Sequence, residues 1–352
     1  MQVLFQSSTE GSAPGLGIIP SAIDVFSNEG KTVPHMGWNS VHLVDPQCRT
    51  DEGLLAEALH YYFVHSYRAT YDPEHEPDAA QWVHSVAQYG QEIFVATVRR
   101  DNVFGCQFHP EKSGDAGMRL LDTWLREPRL ARSQSQVQLS LSPRILFPPR
   151  HRDGFTKRII ACMDVRTNDQ GDLVVTKGDQ YDVREKKEKA VTPLPGHPDP
   201  SLAVAVAGAV RNLGKPVALA ARYYAAGADE LALLNITSFR HSPLDDQPML
   251  AVVRAAAATV FVPLTIGGGI RDTVDPDGTP RSALEVAGAY FRAGADKVSI
   301  GSEAVYAVEH LRATSAVNGS SAVETIARVY GRQAIVVSVD PRRVYVDDVA
   351  AF

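Results

Sequence analysis

The pattern of apolar positions changes near the middle of the chain. Up to about residue 130 the apolar runs are aromatic and β-branched and stand between turn-forming residues. HYYFVHSY (60–67), EIFVATVRR (92–100) and VFGCQFHP (103–110) predict strands. After Pro110, AGMRLLDTWLREPRL places Met118, Leu120, Leu121, Trp124 and Leu125 at helical intervals and predicts a closing helix. Residues 131–156 carry Ser, Gln, Pro and Arg with little periodicity and read as a linker. From Lys157 the runs become short and rich in Val, Ile and Leu: RIIACMD (158–164), ELALLNIT (230–237), FVPLTIGGG (261–269), KVSIG (297–301) and QAIVVSVD (333–340). Such runs suit parallel strands buried on both faces. Ala-rich helical stretches, 214–228 and 282–295, lie between them, so the alternation is βαβα. Residues 183–212 interrupt it with a charged, then Pro-rich, then Ala/Val segment that reads as an insertion.

AAGADELALLNIT and RAGADKVSIGSEA echo one another, with Gly227 and Gly294 at matching places. The echo fits the duplicated (βα) units of a barrel. The alternative is two unrelated helix ends that each use Gly at the C-cap.

Composition narrows the class. The 352 residues allow two or three domains. A hydrophobic share of 44% and a charged share of 22% exclude wholesale disorder. A net charge of -6 argues against nucleic-acid binding driven by charge. Cys48, Cys106 and Cys162 are widely spaced and form neither a disulfide framework nor a CxxC metal site, which points to a reducing compartment. MQVLFQSSTEG lacks a basic start and a long apolar core, so it does not read as a secretory signal. No uncharged apolar run reaches the ~18 residues a membrane span takes. The expectation is a cytoplasmic protein with no membrane or nucleic-acid partner. No metal or organic cofactor is expected, because no ligand cluster appears.

Three places can carry chemistry. His109 and Glu111 stand two apart after a predicted strand, where an extended chain turns both side chains the same way. That gives the base and orienter of a nucleophile–His–acid triad, or an ordinary surface His beside a Glu. Asp164 and Asp340 each end a barrel-type strand, where acid–base chemistry sits in such folds, or each caps the loop that follows. Gly267-Gly268-Gly269 and Gly301-Ser302 end two further strands and suit a phosphate cradle; alone, the glycines make only a tight turn.

The words around these residues are specific. MQVLFQSS, VPHMGWN, YFVHSY and GCQFHPEKSG, in that order along the chain, resemble the glutaminase domain of the imidazole glycerol phosphate synthase family, a class I glutamine amidotransferase with a doubly wound α/β fold. KRIIACMDV, VVTKGDQYDVRE, GADELALLNITS, VPLTIGGGIRD, GADKVSIGSEAV and VVSVDPRRVYV resemble the (β/α)8 cyclase half of the same family, and the order in one chain resembles its fused fungal and plant form. The domains implied are 1–130 (glutaminase), 131–156 (linker) and 157–352 (cyclase barrel).

The resemblance implies roles. His109 is the general base and Glu111 its orienter. Gln2, Glu10, His65, Ser66 and Tyr67 line the glutamine side, although strand packing alone also accounts for His65 and Tyr67. Asp164 and Asp340 are the cyclase acid–base pair. Lys177, Asn235 and Thr237 line the barrel mouth, and Gly269, Gly301 and Ser302 hold a phosphate. Arg158, Glu230 and Lys297 form the charged gate that passes ammonia at the opposite end, with Asp296 on the docking face; structural salt bridges are the plainer account of these four. The substrates implied are glutamine and phosphoribulosyl-formimino-aminoimidazole carboxamide ribotide, turned into imidazole glycerol phosphate and aminoimidazole carboxamide ribotide.

The pattern also departs from the family. The family's nucleophile elbow reads Cys-Leu-Gly-Met-Gln, and the chain begins at its Met. None of the three cysteines present suits the nucleophile's place. The barrel segment offers five strands and is shorter than the roughly 250 residues of a complete barrel. The expectation is a fragment or a faulty gene model, cut at both ends and inactive. The alternative is a degenerate, non-catalytic relative that binds a ligand or partner. A sugar isomerase with the same barrel is the third option, disfavoured because it has no need of a glutaminase.

Overall fold

The structure is a computed structural model, and it describes residues 1–44, 54–56, 58–126, 150, 153–176, 212–236, 243–317 and 319–339. Two compact units divide the chain. The first takes in Met1–Ile159 with Val260–Val262, the second Ile160–Thr259 and Pro263–Phe352. The described part of the expected linker, and Lys157 and Arg158 after it, thus fall in the first unit.

In the first unit, β1 (Phe5–Ser8) pairs in parallel with β2 (Ile19–Val25). Every other strand pairing there among the described residues is antiparallel. β3 (His35–Ser40) pairs with β5 (His60–His65), and β2 with β6 (Tyr67–Arg68). β4 (His42–Leu43), β7 (Val83–Tyr89), β8 (Glu92–Arg100) and β9 (Val103–Cys106) form a four-stranded sheet in that order. A short helix, α1 (Pro77–Ala80), precedes β7, and α2 (Gly114–Arg126) follows β9. The aromatic and β-branched runs pair as strands because they pack on both sides of a pleated sheet. On β8, Phe94 and Ala96 enter a cluster with Phe26, Tyr61, Phe63 and Phe108, while Val95 enters one with Phe5, Ile19, Ile23 and Trp82. The alternation of side chains along one strand thus serves two cores.

In the second unit, six strands form one sheet in the order β11-β10-β12-β13-β16-β17. These are β10 (Ile160–Thr167), β11 (Leu173–Thr176), β12 (Glu230–Asn235), β13 (Leu264–Gly267), β16 (Lys297–Ile300) and β17 (Ile335–Val337). A small hairpin, β14 (Thr273–Val274) with β15 (Pro280–Arg281), lies after β13. All sheet pairings are parallel except β10–β11. Parallel neighbours need crossover segments. These are the helices α3 (Pro216–Ala225), α4 (Pro248–Ala257), α5 (Ala283–Ala293), α6 (Ser302–Thr314) and α7 (Ala322–Tyr330). The five predicted strands are therefore all present, four of them shorter than their apolar runs and β10 running three residues past its own, and β11 adds a sixth that the sequence reading did not isolate. Among the described residues the sheet does not close into a barrel.

One face of this sheet packs under the helices. Met163, Val165, Leu231, Leu233, Leu264, Ile266, Val298 and Ile300 are all buried there. On the other face Ile160 and Val336 are exposed, 42% and 37%. The two echoing glycines have a local reason: Gly227 and Gly294 both have positive φ, +90° and +113°, just past α3 and α5. Helices end well in that conformation, which glycine adopts without strain. The echo also has a long-range consequence, since each repeat begins its strand with a charged residue and the two charges meet.

Candidate functional site

In the first unit the segment after β9 is fixed by its backbone. The His109 N–H donates to the Tyr62 carbonyl on β5 (2.9 Å), and Ser113 Oγ donates to the His109 carbonyl (2.6 Å). His109 itself is extended, but Pro110–Lys112 is a turn of 3-10 helix. The expectation that an extended chain aligns His109 and Glu111 is thus corrected. Proline at the first helical position turns the chain, and the turn carries Glu111 back to the ring. Glu111 Oε1 lies 2.9 Å from His109 Nδ1. The pair is half exposed, and the hydrogen bond from His109 holds the Glu111 carboxyl below its usual range. A carboxylate only accepts, so Nδ1 carries the proton and Nε2 is left to act as a base.

Gln2 comes to the same place from the other end of the unit. Its Nε2 donates to the Tyr67 carbonyl (2.7 Å) and to Gln107 Oε1 (2.9 Å). Gln107 stands two residues before His109 and was missed by sequence reasoning; its only signal is that spacing. His65 is buried, with Nδ1 2.8 Å from the Tyr67 carbonyl and Nε2 3.0 Å from His35 Nδ1. Both its ring nitrogens face protein. Ser66 and Tyr67 are partly buried, and the Ser66 carbonyl accepts from Phe26 N–H (2.9 Å). Glu10 is exposed, and its N–H donates to Ser8 Oγ (3.2 Å). So Gln2 and His65 are joined through the Tyr67 carbonyl, while the exposed Glu10 bonds to Ser8 instead. Burial pushes the Cys106 thiol up to about 11, the reverse of what a thiolate nucleophile needs.

In the second unit the carboxyl ends of β12, β13 and β16 border a cleft of about 410 Å³. Asn235, Gly269, Arg271, Tyr290, Gly301 and Ser302 line it. Gly268 has φ +90°, and a Cβ there would lie 2.0 Å from the Asn235 carbonyl oxygen. Only glycine lets this backbone pass so close to β12. α6 begins at Ser302 with no side-chain cap on its first turn. Uncapped N–H groups at a helix start attract an anion. The Tyr290 hydroxyl bonds the Asn235 side chain and lies 3.4 Å from Gln247 Oε1, neither of which the sequence reading anticipated. Asp164 is paired in register with Leu234, which also lines the cleft, and burial raises its carboxyl above the usual range. Asp340, Lys177 and Thr237 lie outside the described residues.

At the opposite strand ends, Lys297 Nζ donates to Glu230 Oε2 at 2.7 Å, both side chains being almost fully buried. The register Ala232–Thr265–Lys297 puts the pair on the sheet face away from the helices, with small side chains between them. Asp296 Oδ2 accepts from Leu264 N–H (2.8 Å), which ties the start of β13 to that of β16. Arg158 belongs to the first unit, where a Cβ at Gly37 would lie 3.4 Å from its Nη1. Among the described residues no group of three His, Cys, Asp or Glu could hold a metal ion. No described helix is long and apolar enough to cross a membrane.

Known proteins share both units. The class-I glutamine amidotransferase family matches residues 1–127, and the histidine biosynthesis protein family matches residues 158–351. The chain is 51% identical over 353 aligned residues to an imidazole glycerol phosphate synthase of Emericella nidulans, covering 98% of this chain and 59% of that protein. It is 48% identical to the chloroplastic imidazole glycerol phosphate synthase of Arabidopsis thaliana, over 99% of this chain and 52% of that one. A separate HisH subunit of the same synthase from a Synechococcus strain is 42% identical over 126 residues, 36% of this chain and 55% of the subunit. The chain thus spans little more than half the length of the fused relatives it matches. With a match over more than half its length, the chain belongs to the histidine biosynthesis protein family, joined in one polypeptide to a class-I glutamine amidotransferase region.

Proposed function

We propose that this chain supplies parts of an imidazole glycerol phosphate synthase: a glutaminase region that releases ammonia and a cyclase region that uses it. The observation that carries the reading is the cleft at the carboxyl ends of β12, β13 and β16, with bare glycine backbone and an uncapped helix start on its walls. A phosphate fits there because N–H groups and the helix start supply positive potential, and Arg271 lines the same cleft. Asp164 lies at the same strand ends, and its raised carboxyl suits a group that exchanges protons with substrate. Asp340 is its proposed partner. The substrate would be phosphoribulosyl-formimino-aminoimidazole carboxamide ribotide, with Asn235, Lys177 and Thr237 at the mouth.

In the first unit, His109 Nε2 would take the proton of a thiol nucleophile, while Glu111 holds Nδ1–H and stabilises the imidazolium. Gln2, Ser66, Tyr67 and Glu10 would stand on the glutamine side, with His65 behind them. Glu230, Lys297 and Arg158 would guard the ammonia path, and Asp296 would serve the docking face. Family membership favours this reading over a non-catalytic binding protein.

Calorimetric titration of imidazole glycerol phosphate into the intact chain tests the cleft. Binding is expected, and Ser302→Asp, which puts a negative charge at the start of α6, is expected to weaken it at least tenfold. No binding, or binding indifferent to Ser302→Asp, would overturn the proposal.

A further inference from the structure

β3 and β5 bury two histidines between them. His35 is fully buried, and its ring sits against Phe63, Tyr89 and Phe94 at centroid distances of 5.0, 4.3 and 5.5 Å. Its Nδ1 lies 3.0 Å from His65 Nε2, and its Nε2 lies 3.1 Å from Asn39 Nδ2. Asn39 Nδ2 also donates to the Gln88 carbonyl (2.8 Å). At the far end, His65 Nδ1 meets the Tyr67 carbonyl (2.8 Å), the same oxygen that accepts from Gln2 Nε2 (2.7 Å).

Both ends of this chain are backbone carbonyls, which only accept. The Gln88 carbonyl therefore requires the amide nitrogen of Asn39, not its oxygen, on that side. The same nitrogen then donates to His35 Nε2. With Nε2 accepting, a neutral His35 carries its proton on Nδ1 and gives it to His65 Nε2. A neutral His65 likewise carries its proton on Nδ1 and gives it to Tyr67. The ends leave one proton order throughout, running outward from Asn39.

We propose that Asn39, His35 and His65 form a one-way hydrogen-bond chain whose role is to hold the Tyr67 carbonyl, and through it the Gln2 side chain, in position for glutamine. None of the three touches substrate; they are positioning residues. The assignment rests on the proposed glutamine site. Charge is kept out of the chain. Burial drives His35 well below its ordinary basicity, and His65 and Lys31 oppose a charge on it. Burial brings His65 to about 4 against the hydrogen bond to Tyr67, and His109 adds its opposition. The other charged groups here, Glu92 and Arg68, are spent on one another and on Lys31. A neutral His65 matters because a second cation beside His109 would oppose the imidazolium that a general base must form.

The test needs no catalysis. With ¹⁵N-labelled histidine in the intact chain, long-range ¹H–¹⁵N spectra at pH 7 report the tautomer of each ring. His35 and His65 are both expected as neutral Nδ1–H forms; an Nε2–H form at either overturns the proposal. Asn39→Asp supplies the positioning readout. A carboxylate cannot donate, so His35 must turn a proton toward it and the order must reverse. The expected result is a neutral Nε2–H His35, which can no longer donate to His65, and shifted resonances of the Gln2 side-chain amide. An unchanged Gln2 amide would show that the chain does not reach Gln2 and would sink the positioning role. If Asn39→Asp does not fold, the tautomers of the unaltered chain still decide the matter. Titration of glutamine into the intact chain separates the two readings: intact tautomers without glutamine uptake break the glutamine site and leave the hydrogen-bond order standing.

Discussion

The two units bury polar pairs by opposite means. In the second unit, Lys297 and Glu230 meet at 2.7 Å as ions, with side chains 4% and 1% exposed. In the first, His35 and His65 meet at 3.0 Å as neutral rings. The distances are nearly equal, so distance does not explain the difference. The chemistry of the groups does. An amine and a carboxylic acid ionise far from neutral pH, so pairing is the cheaper way to carry their charges into a low-dielectric interior. An imidazole ionises near pH 6.5 and escapes the same cost by giving up its proton. The His109–Glu111 pair is a third case. It is equally close at 2.9 Å but half exposed, so water shares the work.

Breaking the ionic pair should have the largest effect. Lys297→Met leaves the Glu230 carboxylate buried opposite a thioether, and a loss of about 3–5 kcal/mol is expected in denaturant unfolding. The double variant Glu230→Met/Lys297→Met should recover most of it. A single variant as stable as the parent would mean that the pair is hydrated in solution and that the contrast with the histidines is false.

Next comes the pH dependence of the neutral pair. His65 binds its proton near pH 6.5 when unfolded and near about 4 when folded. Between those values the unfolded state holds more protons, so stability is full above pH 6.5 and falls as pH falls toward 4. From that one group the loss is on the order of 3 kcal/mol across the window. Unfolding midpoints between pH 7 and 4 should show this slope, and His65→Gln should make it shallower, with His35 keeping the remainder of the same sign. A profile that is already flat in the parent chain would place a charge where none is expected.

The exposed pair should yield least in stability. Glu111→Gln is expected to cost ~1 kcal/mol or less, because solvent screens a half-exposed pair. The Glu111 carboxyl is held low, so its small contribution is present above its unfolded range and disappears as pH falls through the folded value. Asp164 has the opposite sign. Burial raises its carboxyl, so folding favours the protonated form and ionisation costs stability above the folded value. Asp164→Asn should therefore stabilise slightly at pH 7, and this gain should vanish in acid. A loss of stability at pH 7 would mean that an unseen donor satisfies the carboxylate.

Much of the second unit was legible because its signals are local. Short Val/Ile/Leu runs between Ala-rich stretches gave five strands and two helices in the right places, and the glycines after α3 and α5 sit where helices end. The first unit was harder. Its runs at β5, β8 and β9 were readable, but β1–β4 and β7 were not singled out, and neither was the mostly antiparallel pairing, since period-two alternation does not say which strand lies beside which. The 3-10 turn at Pro110 reversed the expected geometry while keeping the expected pair. Gln107, His35, Asn39 and Tyr290 went unnoticed because each draws its role from a residue far along the chain. The bond between Lys297 and Glu230 spans 67 positions, and no spacing rule reaches that far.

The sequence by itself determined the order of the two regions, their family, the main parallel strands of the second unit and the identity of the groups able to carry chemistry. These follow from residue type and short-range spacing. Only the tertiary structure decided which of those groups are charged, which nitrogen of a ring holds the proton, and which residues support rather than touch a ligand. Those properties depend on burial and on the donors and acceptors that distant segments bring together. For His65, the sequence supplied a ring beside a pocket. The fold closed both its nitrogens into a chain of bonds and removed its charge.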